Sequence, residues 1–139
     1  MKKKSVKTKK NPDLIPVSDE MRRWCALLAD EVIRWPGVTS RKMFGMNSLY
    51  CDGVIFAAVP DKRALISAHS IIFKLQQPTK AEHSRVEKDP RAKVHFGIGQ
   101  KWFGYELHED HDLTSALDWL AVAYNHAPKA PPKKSRKRR

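Results

Sequence analysis

The stretch SLYCDGVIFAAV, residues 48–59, places the strongest constraint on the fold of this chain. An Asp-Gly pair between two apolar runs favours a type I′ turn, because both central residues of that turn have a positive φ. Two strands joined by so short a connection run antiparallel. The sequence therefore predicts an antiparallel hairpin around Asp52-Gly53.

Further strand-like runs surround this hairpin on both sides. The run VTSRKMF precedes it, with Gly45-Met46-Asn47 as a short reversal, and Met43, Leu49, Ile55 and Ala57 alternate as in half-buried strands. Phe44, Tyr50 and Phe56 have the opposite parity, so both faces of the sheet are expected to be covered in places. IIFKL, KVHFGI and WFGYEL follow as strands, the last two around Gly99-Gln100, whereas ALISA is ambiguous.

Three segments have helical patterns. Ser18 is a good N-cap for a helix with the apolar stripe Met21, Trp24, Cys25, Leu28, Val32 and Trp35, which ends at Pro36-Gly37. Thr79 is expected to cap a short polar helix through Glu87, and Asp110 to open a last helix with Leu113, Ala116, Leu117, Leu120, Ala121 and Tyr124 inward. The fold class expected is α+β: a small antiparallel sheet packed by an N-terminal and a C-terminal helix.

The positive charge of the chain is concentrated at its two ends. The formal net charge is +12 over 139 residues, with six Lys and no acid in residues 1–10 and seven Lys or Arg and no acid in residues 129–139. Residues 11–128 then hold 14 basic residues against 15 acids. Both ends lack apolar periodicity, and like charges repel, so both are expected to be disordered basic tails. The expected organisation is a tail over residues 1–16, one domain over 17–127 and a second tail over 128–139.

Composition also limits cofactors and location. Two cysteines form no disulfide framework and fit a reducing cytoplasm. The sequence has no apolar run of transmembrane length, so no integral membrane association is expected. Glycine-rich phosphate loops, a GxSxG elbow and paired-Cys or HExxH metal motifs are missing, and we therefore expect no cofactor, no metal and no enzymatic activity.

Several of these segments resemble known families. VTSRKMFG, LYCDGVIFAAV, FKL and ALDWLAVAYNHA with a Pro/Lys/Arg tail resemble the N-terminal domain of the TfoX/Sxy family, which is similar in fold to the small MmcQ/YjbR-like proteins. The frame WPGVTSRKMFG…WFGYELHEDHDLTSALDWLAVAY is also similar to small proteins catalogued as a luciferase-type domain. The resemblance covers roughly residues 19–127. It implies the same α+β fold and an association with regulation or DNA binding, and it supplies no catalytic residues.

Three features carry possible chemistry and also have simpler structural explanations. HEDHD, residues 108–112, has two histidines among three acids, but acids at a helix start cap backbone N–H groups, which accounts for Asp110 and Asp112. Cys25 lies on an apolar stripe, and Cys51 ends a strand, where partial exposure is expected. Four tryptophans are mostly core residues, with Trp102 as the best candidate for a ligand platform.

The basic residues give the functional prediction. We expect a small cytoplasmic protein that binds nucleic acid through its tails with weak sequence specificity, since Lys and Arg neutralise phosphates and release counterions. Within the body, Arg41, Lys42, Lys62, Arg63, Lys74, Lys93 and Lys101 are expected to contribute to a positive side. The alternative is a protein- or small-ligand-binding module with accessory tails. The candidate nucleic-acid-binding residues are Lys2, Lys3, Lys4, Lys9, Lys10, Arg41, Lys42, Lys133, Lys134, Arg136, Lys137, Arg138 and Arg139.

Overall fold

A computed structural model describes residues 14–65, 67–96 and 101–128, with only the backbone described for residues 93–96. This part of the chain has an α+β fold, as the sequence predicts. In chain order, the elements are β1 (Ile15–Pro16), α1 (Asp19–Val32), β2 (Val38–Met43), β3 (Met46–Cys51), β4 (Val54–Pro60), β5 (Arg63–Ala64), β6 (Ser70–Lys74), α2 (Lys80–Lys88), β7 (Ala92–Phe96), β8 (Trp102–Glu106) and α3 (Asp112–His126).

Six of these strands form one antiparallel sheet in the order β2-β3-β4-β6-β8-β7. The predicted turn between β3 and β4 is confirmed, because Asp52 and Gly53 have φ angles of 51° and 85°. The first reversal was predicted one residue too late. Phe44 and Gly45 form the turn, with φ angles of 55° and 80°, and Met46 already pairs with Met43. Strands β2 and β7 are the two edges of the sheet.

A second, two-stranded sheet joins the start of the described chain to the segment after β4. Ile15 pairs with Ala64 and Pro16 with Arg63. Ile15–Pro16 thus lie in a strand, although the sequence analysis assigned them to the N-terminal tail. The ambiguous ALISA run contributes only its first residue, Ala64, to the partner strand Arg63–Ala64.

Helices α1 and α3 pack on the sheet and enclose the main core. The predicted stripe of α1 is confirmed through Val32, where the helix ends, and Ser18 accepts a hydrogen bond from the backbone N–H of Met21. The core joins this stripe to one face of the sheet and to α3. Its largest fully buried side chains are Met21, Leu28, Val32, Leu49, Phe56, Ile71, Phe73, Leu75, Phe103, Leu107, Trp119 and Leu120.

The short helix α2 is fixed to its neighbours by capping and by side-chain contacts. Thr79 and Glu82 form a reciprocal capping box, with distances of 3.1 and 2.9 Å. Nε2 of His126, at the end of α3, lies 2.9 Å from Oε1 of Glu82. Nδ1 of the same ring accepts a hydrogen bond from the backbone N–H of Gln77. These contacts connect the start of α2 to the end of α3.

The opposite face of the sheet has a smaller apolar cluster. Met46, Ala58 and Ile72 are buried there, and Leu65 and Trp102 pack against them. Lys74 lies on the same face, with its Nζ 5.9 Å from the centre of the Trp102 ring. Trp102 is the tryptophan that the sequence analysis selected as the best candidate for a ligand platform. It is half-buried, and Lys74 lies over its ring.

The other three tryptophans take part in the packing of the helices. Trp24 donates a hydrogen bond of 2.8 Å to Asp110, which ties α1 to the turn before α3. Trp119 is fully buried and donates to Asp89, 3.2 Å away. Trp35 follows α1 and is partly buried against the core. The prediction that at least three tryptophans serve packing is consistent with these positions.

Candidate nucleic-acid interface

The two predicted binding residues of the body, Arg41 and Lys42, lie side by side on edge strand β2 and are exposed. Successive residues of a strand point to opposite faces, so the two cations flank the edge from both sides. The remaining predicted binding residues belong to the two terminal segments and lie outside the described residues. These are Lys2, Lys3, Lys4, Lys9, Lys10, Lys133, Lys134, Arg136, Lys137, Arg138 and Arg139.

The β2–β3 turn is joined to the segment after β4 by one backbone group. The carbonyl oxygen of Gly45 accepts hydrogen bonds from the N–H groups of Asp61, Lys62 and Arg63, at 3.0, 2.8 and 3.0 Å. A Cβ at residue 45 would lie 2.5 Å from Cγ of Arg63, so only glycine fits without a shift. We call residues 41–45 and 61–63 the hairpin end.

Cations predominate at the hairpin end. Its only acid is Asp61, whose carboxylate lies 3.6 Å from Nζ of Lys42 and 3.5 Å from Nη2 of Arg22 on α1. Lys62 and Arg63 are exposed beside it, as is Arg41 on the strand. The hairpin end thus has four exposed cations against one carboxylate, and Arg22 on α1 adds a fifth exposed cation that contacts it. This arrangement attracts anions over a range set by the Debye length, which is about 8–10 Å at ordinary salt.

Phe44 stands at the tip of the hairpin end with 66% of its surface exposed. Its predicted place in a covered strand is wrong, because it is the first residue of the turn. A positive φ costs an L-residue other than Asn, Asp or Gly about 1–2 kcal/mol. Neighbouring Met43 is also exposed, at 37%. The sequence signal for this turn is a Phe-Gly pair between two alternating runs. Phe-Gly is a weaker indicator of a two-residue hairpin turn than Asn-Gly or Asp-Gly.

The other cations of the predicted positive side do not join the hairpin end. Lys74 lies against Trp102 on the face of the sheet, and Lys101 borders a depression near the end of α3. The side chain of Lys93 lies outside the described residues, while its backbone is in β7, at the opposite edge of the sheet from β2. Only Arg41, Lys42, Lys62 and Arg63 of the predicted set form one group.

The HEDHD segment has a structural role that differs in detail from the predicted one. Helix α3 begins at Asp112, two residues later than expected, and its N-cap, His111, makes no side-chain capping bond. Asp110 accepts from the indole of Trp24 instead of capping the helix. Asp112 accepts hydrogen bonds from the backbone N–H groups of His108 and Glu109, at 2.8 and 3.0 Å. These acids thus hold the turn before α3.

Asp112 is buried, with 4% of its surface exposed, yet it is held in the charged form. Burial alone would raise its pKa. The N–H groups of His108 and Glu109 and the guanidinium of Arg91, 3.3 Å away, outweigh that effect and place the pKa of Asp112 below its ordinary value. Over the described residues, no group of three or more His, Cys, Asp or Glu side chains is placed to hold a metal ion.

A polar cluster that the sequence analysis missed lies where β8 ends. The hydroxyl of Ser67 donates to Glu106 at 2.9 Å, and Nε2 of His108 lies 3.0 Å from the other carboxylate oxygen. The rings of His69 and His108 stack with their centres 4.6 Å apart. His108 contacts Glu106 rather than the hydroxyl of Ser67, so these contacts do not form the hydroxyl–imidazole pair of an activated serine.

Both cysteines are fully buried. This corrects the expectation that Cys51 is partly exposed, since β3 is covered by the main core up to its last residue. Burial, with a smaller contribution from the charge of Asp61, raises the pKa of Cys25 to about 12. A thiol of that kind is not a nucleophile at neutral pH.

Two depressions mark the surface near α3. The larger, of about 490 Å³, is lined by Gln76, Gln77, Lys101, Asn125, His126 and Pro128. The smaller, of about 310 Å³, is lined by Trp35, Pro36, Ala121, Tyr124 and Asn125. The first is mainly polar, whereas pockets for small molecules are usually apolar with a few polar groups.

Comparison of the chain with protein-family models, with curated proteins and with solved structures found no match. The resemblance to the TfoX/Sxy N-terminal domain therefore stays a prediction. None of the helices in the described ranges is long and apolar enough to cross a membrane.

Proposed function

We propose that this protein is a non-catalytic, nucleic-acid-binding or regulatory module of TfoX-N-like type that acts in the cytoplasm. Its basic terminal segments supply most of the affinity, and the hairpin end supplies a contact on the folded body. The observation that carries the proposal is the excess of exposed cations at the hairpin end, where Arg41, Lys42, Lys62 and Arg63 stand against the single carboxylate of Asp61, which Arg22 also contacts.

The charge of the two ends supports the same partner. The terminal segments 1–10 and 129–139 hold 13 of the 27 basic residues and no acid. Each phosphate that such a residue neutralises on duplex DNA contributes a slope of about −0.9 to the log–log dependence of affinity on salt. Contacts of this kind are made with the phosphate backbone, so sequence specificity is expected to be weak.

Fluorescence anisotropy with duplex DNA, measured on the full chain between about 50 and 200 mM salt, tests this proposal. The first variant replaces the 13 terminal Lys and Arg residues by Gln, and the second is Arg41→Gln/Lys42→Gln. The matched control is Lys80→Gln/Lys88→Gln, which removes two exposed charges from α2, the helix that packs against the opposite edge of the sheet.

We expect the terminal variant to lose most of the affinity. The Arg41→Gln/Lys42→Gln variant should weaken binding and make the salt slope shallower by about 1.8, because two phosphate contacts are lost. The control should keep the slope of the wild type. Equal losses in the second variant and the control would refute the contact at the hairpin end. Salt-independent binding, or no binding, would refute the proposal as a whole.

The alternative, a protein- or small-ligand-binding module, has its candidate site in the smaller depression, which Trp35, Pro36 and Tyr124 line. It predicts that a ligand raises the melting temperature in a thermal-shift screen. The terminal variant should show the same rise as the wild type. Stabilisation by uncharged ligands, together with the absence of DNA binding, would favour this alternative.

A further inference from the structure

Packing within the protein does not explain the exposure of the Phe44 side chain. It is the most exposed of the large hydrophobic side chains in the described chain, and it occupies a turn position with a φ of 55°. Asn, Asp or Gly would fit this backbone better. A residue kept in an unfavourable conformation with its ring in solvent is typical of a binding contact.

The ring stands on a rigid support. Met43 pairs with Met46 directly below the turn, and the carbonyl of Gly45 accepts three backbone hydrogen bonds from residues 61–63. The contact between Lys42 and Asp61, at 3.6 Å, joins the same two segments. A turn held at these points keeps the backbone of Phe44 in one place, so little backbone freedom is lost when a ligand packs on the ring.

The surroundings of the ring indicate the kind of ligand. Lys42, Lys62 and Arg63 lie around the same turn and can bind phosphates while the ring packs on an apolar, planar group. An aromatic ring among cations is the combination that binds single-stranded nucleic acid, because unpaired bases stack on the ring and the backbone follows the charges. A duplex keeps its bases stacked inside and offers the ring no partner.

We propose that the hairpin end binds single-stranded nucleic acid, with one unpaired base stacked on Phe44 and the adjoining phosphates on Lys42, Lys62 and Arg63. This inference rests on the proposed function and adds a preference for strands with unpaired bases. An anionic membrane surface would also be attracted to the cations of the hairpin end. The apolar part, however, is one ring and a partly exposed methionine, far less than the apolar face of an interfacial helix.

The test compares variants of the full chain for binding to a single-stranded oligothymidine, to a duplex of equal length and to vesicles of phosphatidylcholine and phosphatidylserine. Phe44→Asn removes the ring and suits the positive φ, so its melting temperature should not fall below that of the wild type. Phe44→Trp keeps an aromatic surface. Leu27→Gln is the matched control, because it removes another exposed apolar side chain, 55% exposed on α1, without changing charge.

We expect Phe44→Asn to weaken single-strand binding about fivefold to tenfold, the lower part of the range for base stacking on an aromatic ring. Its duplex binding should stay within about twofold of the wild type, since phosphate contacts are unchanged. Phe44→Trp should bind single strands at least as well as the wild type, and Leu27→Gln should match the wild type on both.

The possible failures are distinguishable. If Phe44→Asn binds single strands like the wild type while duplex binding remains salt-dependent, the stacking contact is overturned and the proposed function stands. If neither strand form binds, the proposed function itself fails. If Phe44→Asn loses affinity only for vesicles of phosphatidylcholine and phosphatidylserine, the ring serves a membrane contact and the inference is overturned.

Discussion

Replacement of Asp112 by Ala tests the role assigned to the HEDHD segment. The carboxylate is buried and accepts two backbone hydrogen bonds from His108 and Glu109. Hydrogen bonds to a charged group contribute about 1.5–3 kcal/mol each, and water restores part of this in a partly exposed turn. We therefore expect a loss of about 3 kcal/mol in the free energy of unfolding. In a domain of this size that lowers the melting temperature by roughly 10 °C.

The variant Asp112→Asn distinguishes the contribution of the negative charge to stability from the contribution of the hydrogen-bond acceptor. An amide oxygen can still accept from the two N–H groups, but the attraction to Arg91 is lost, so a smaller loss of about 1–1.5 kcal/mol is expected. The pKa of Asp112 lies below its ordinary value in the folded state. The stability from its charge is thus complete above the unfolded carboxyl pKa, about 3.9, and is lost as the pH falls through the lower folded value. The difference in the free energy of unfolding between wild type and Asp112→Asn should therefore decrease as the pH falls through this range.

Urea denaturation followed by circular dichroism at several pH values measures both effects. Asp118→Ala is the control, because it removes an exposed carboxylate from the same helix. It should change stability by less than about 0.5 kcal/mol. If Asp112→Ala also stayed within that limit, the carboxylate would not hold the turn. A gap between wild type and Asp112→Asn that does not change with pH would contradict the assigned pKa shift.

Two further predictions concern the turns and the thiols. Gly45→Ala should destabilise the protein by about 2–3 kcal/mol in urea denaturation, because it combines a φ of 80° with a close approach to Arg63. Gly53→Ala has a similar φ and no atom within 4 Å, so about 1 kcal/mol is expected, and equal losses would rule out the steric contribution. Cys25 should react with Ellman's reagent only after denaturation, since it is buried and its pKa is raised to about 12; fast labelling of the native protein would contradict that burial.

Local signals in the sequence predicted the elements that local chemistry determines. The Asp52-Gly53 turn, the Ser18 cap and the Thr79 cap of α2 each depend on residues within a few positions of each other, and the apolar stripe of α1 on spacings of three and four. Such short-range preferences act before any tertiary contact forms. The fold class followed from the order of these elements.

Features that depend on distant contacts could not be predicted. Asp110 and Asp112 look alike in the sequence, but their partners are the indole of Trp24 and the guanidinium of Arg91, which only the folded chain brings near. Phe44 looks like a strand residue until the pairing of Met43 with Met46 places it in the turn. In the same way, only the folded chain brings Lys62 beside the β2–β3 turn, where its N–H donates to Gly45.

The shared carbonyl of Gly45 also has a consequence for amide hydrogen exchange. Lys62 and Arg63 have exposed side chains between the end of β4 and the start of the two-residue strand β5, and backbone amides in such exposed places usually exchange rapidly. Both amides, together with that of Asp61, donate to one oxygen atom, so they become accessible only when the turn opens. The three should therefore exchange at similar, slowed rates, and a ligand that holds the turn closed should protect all three together.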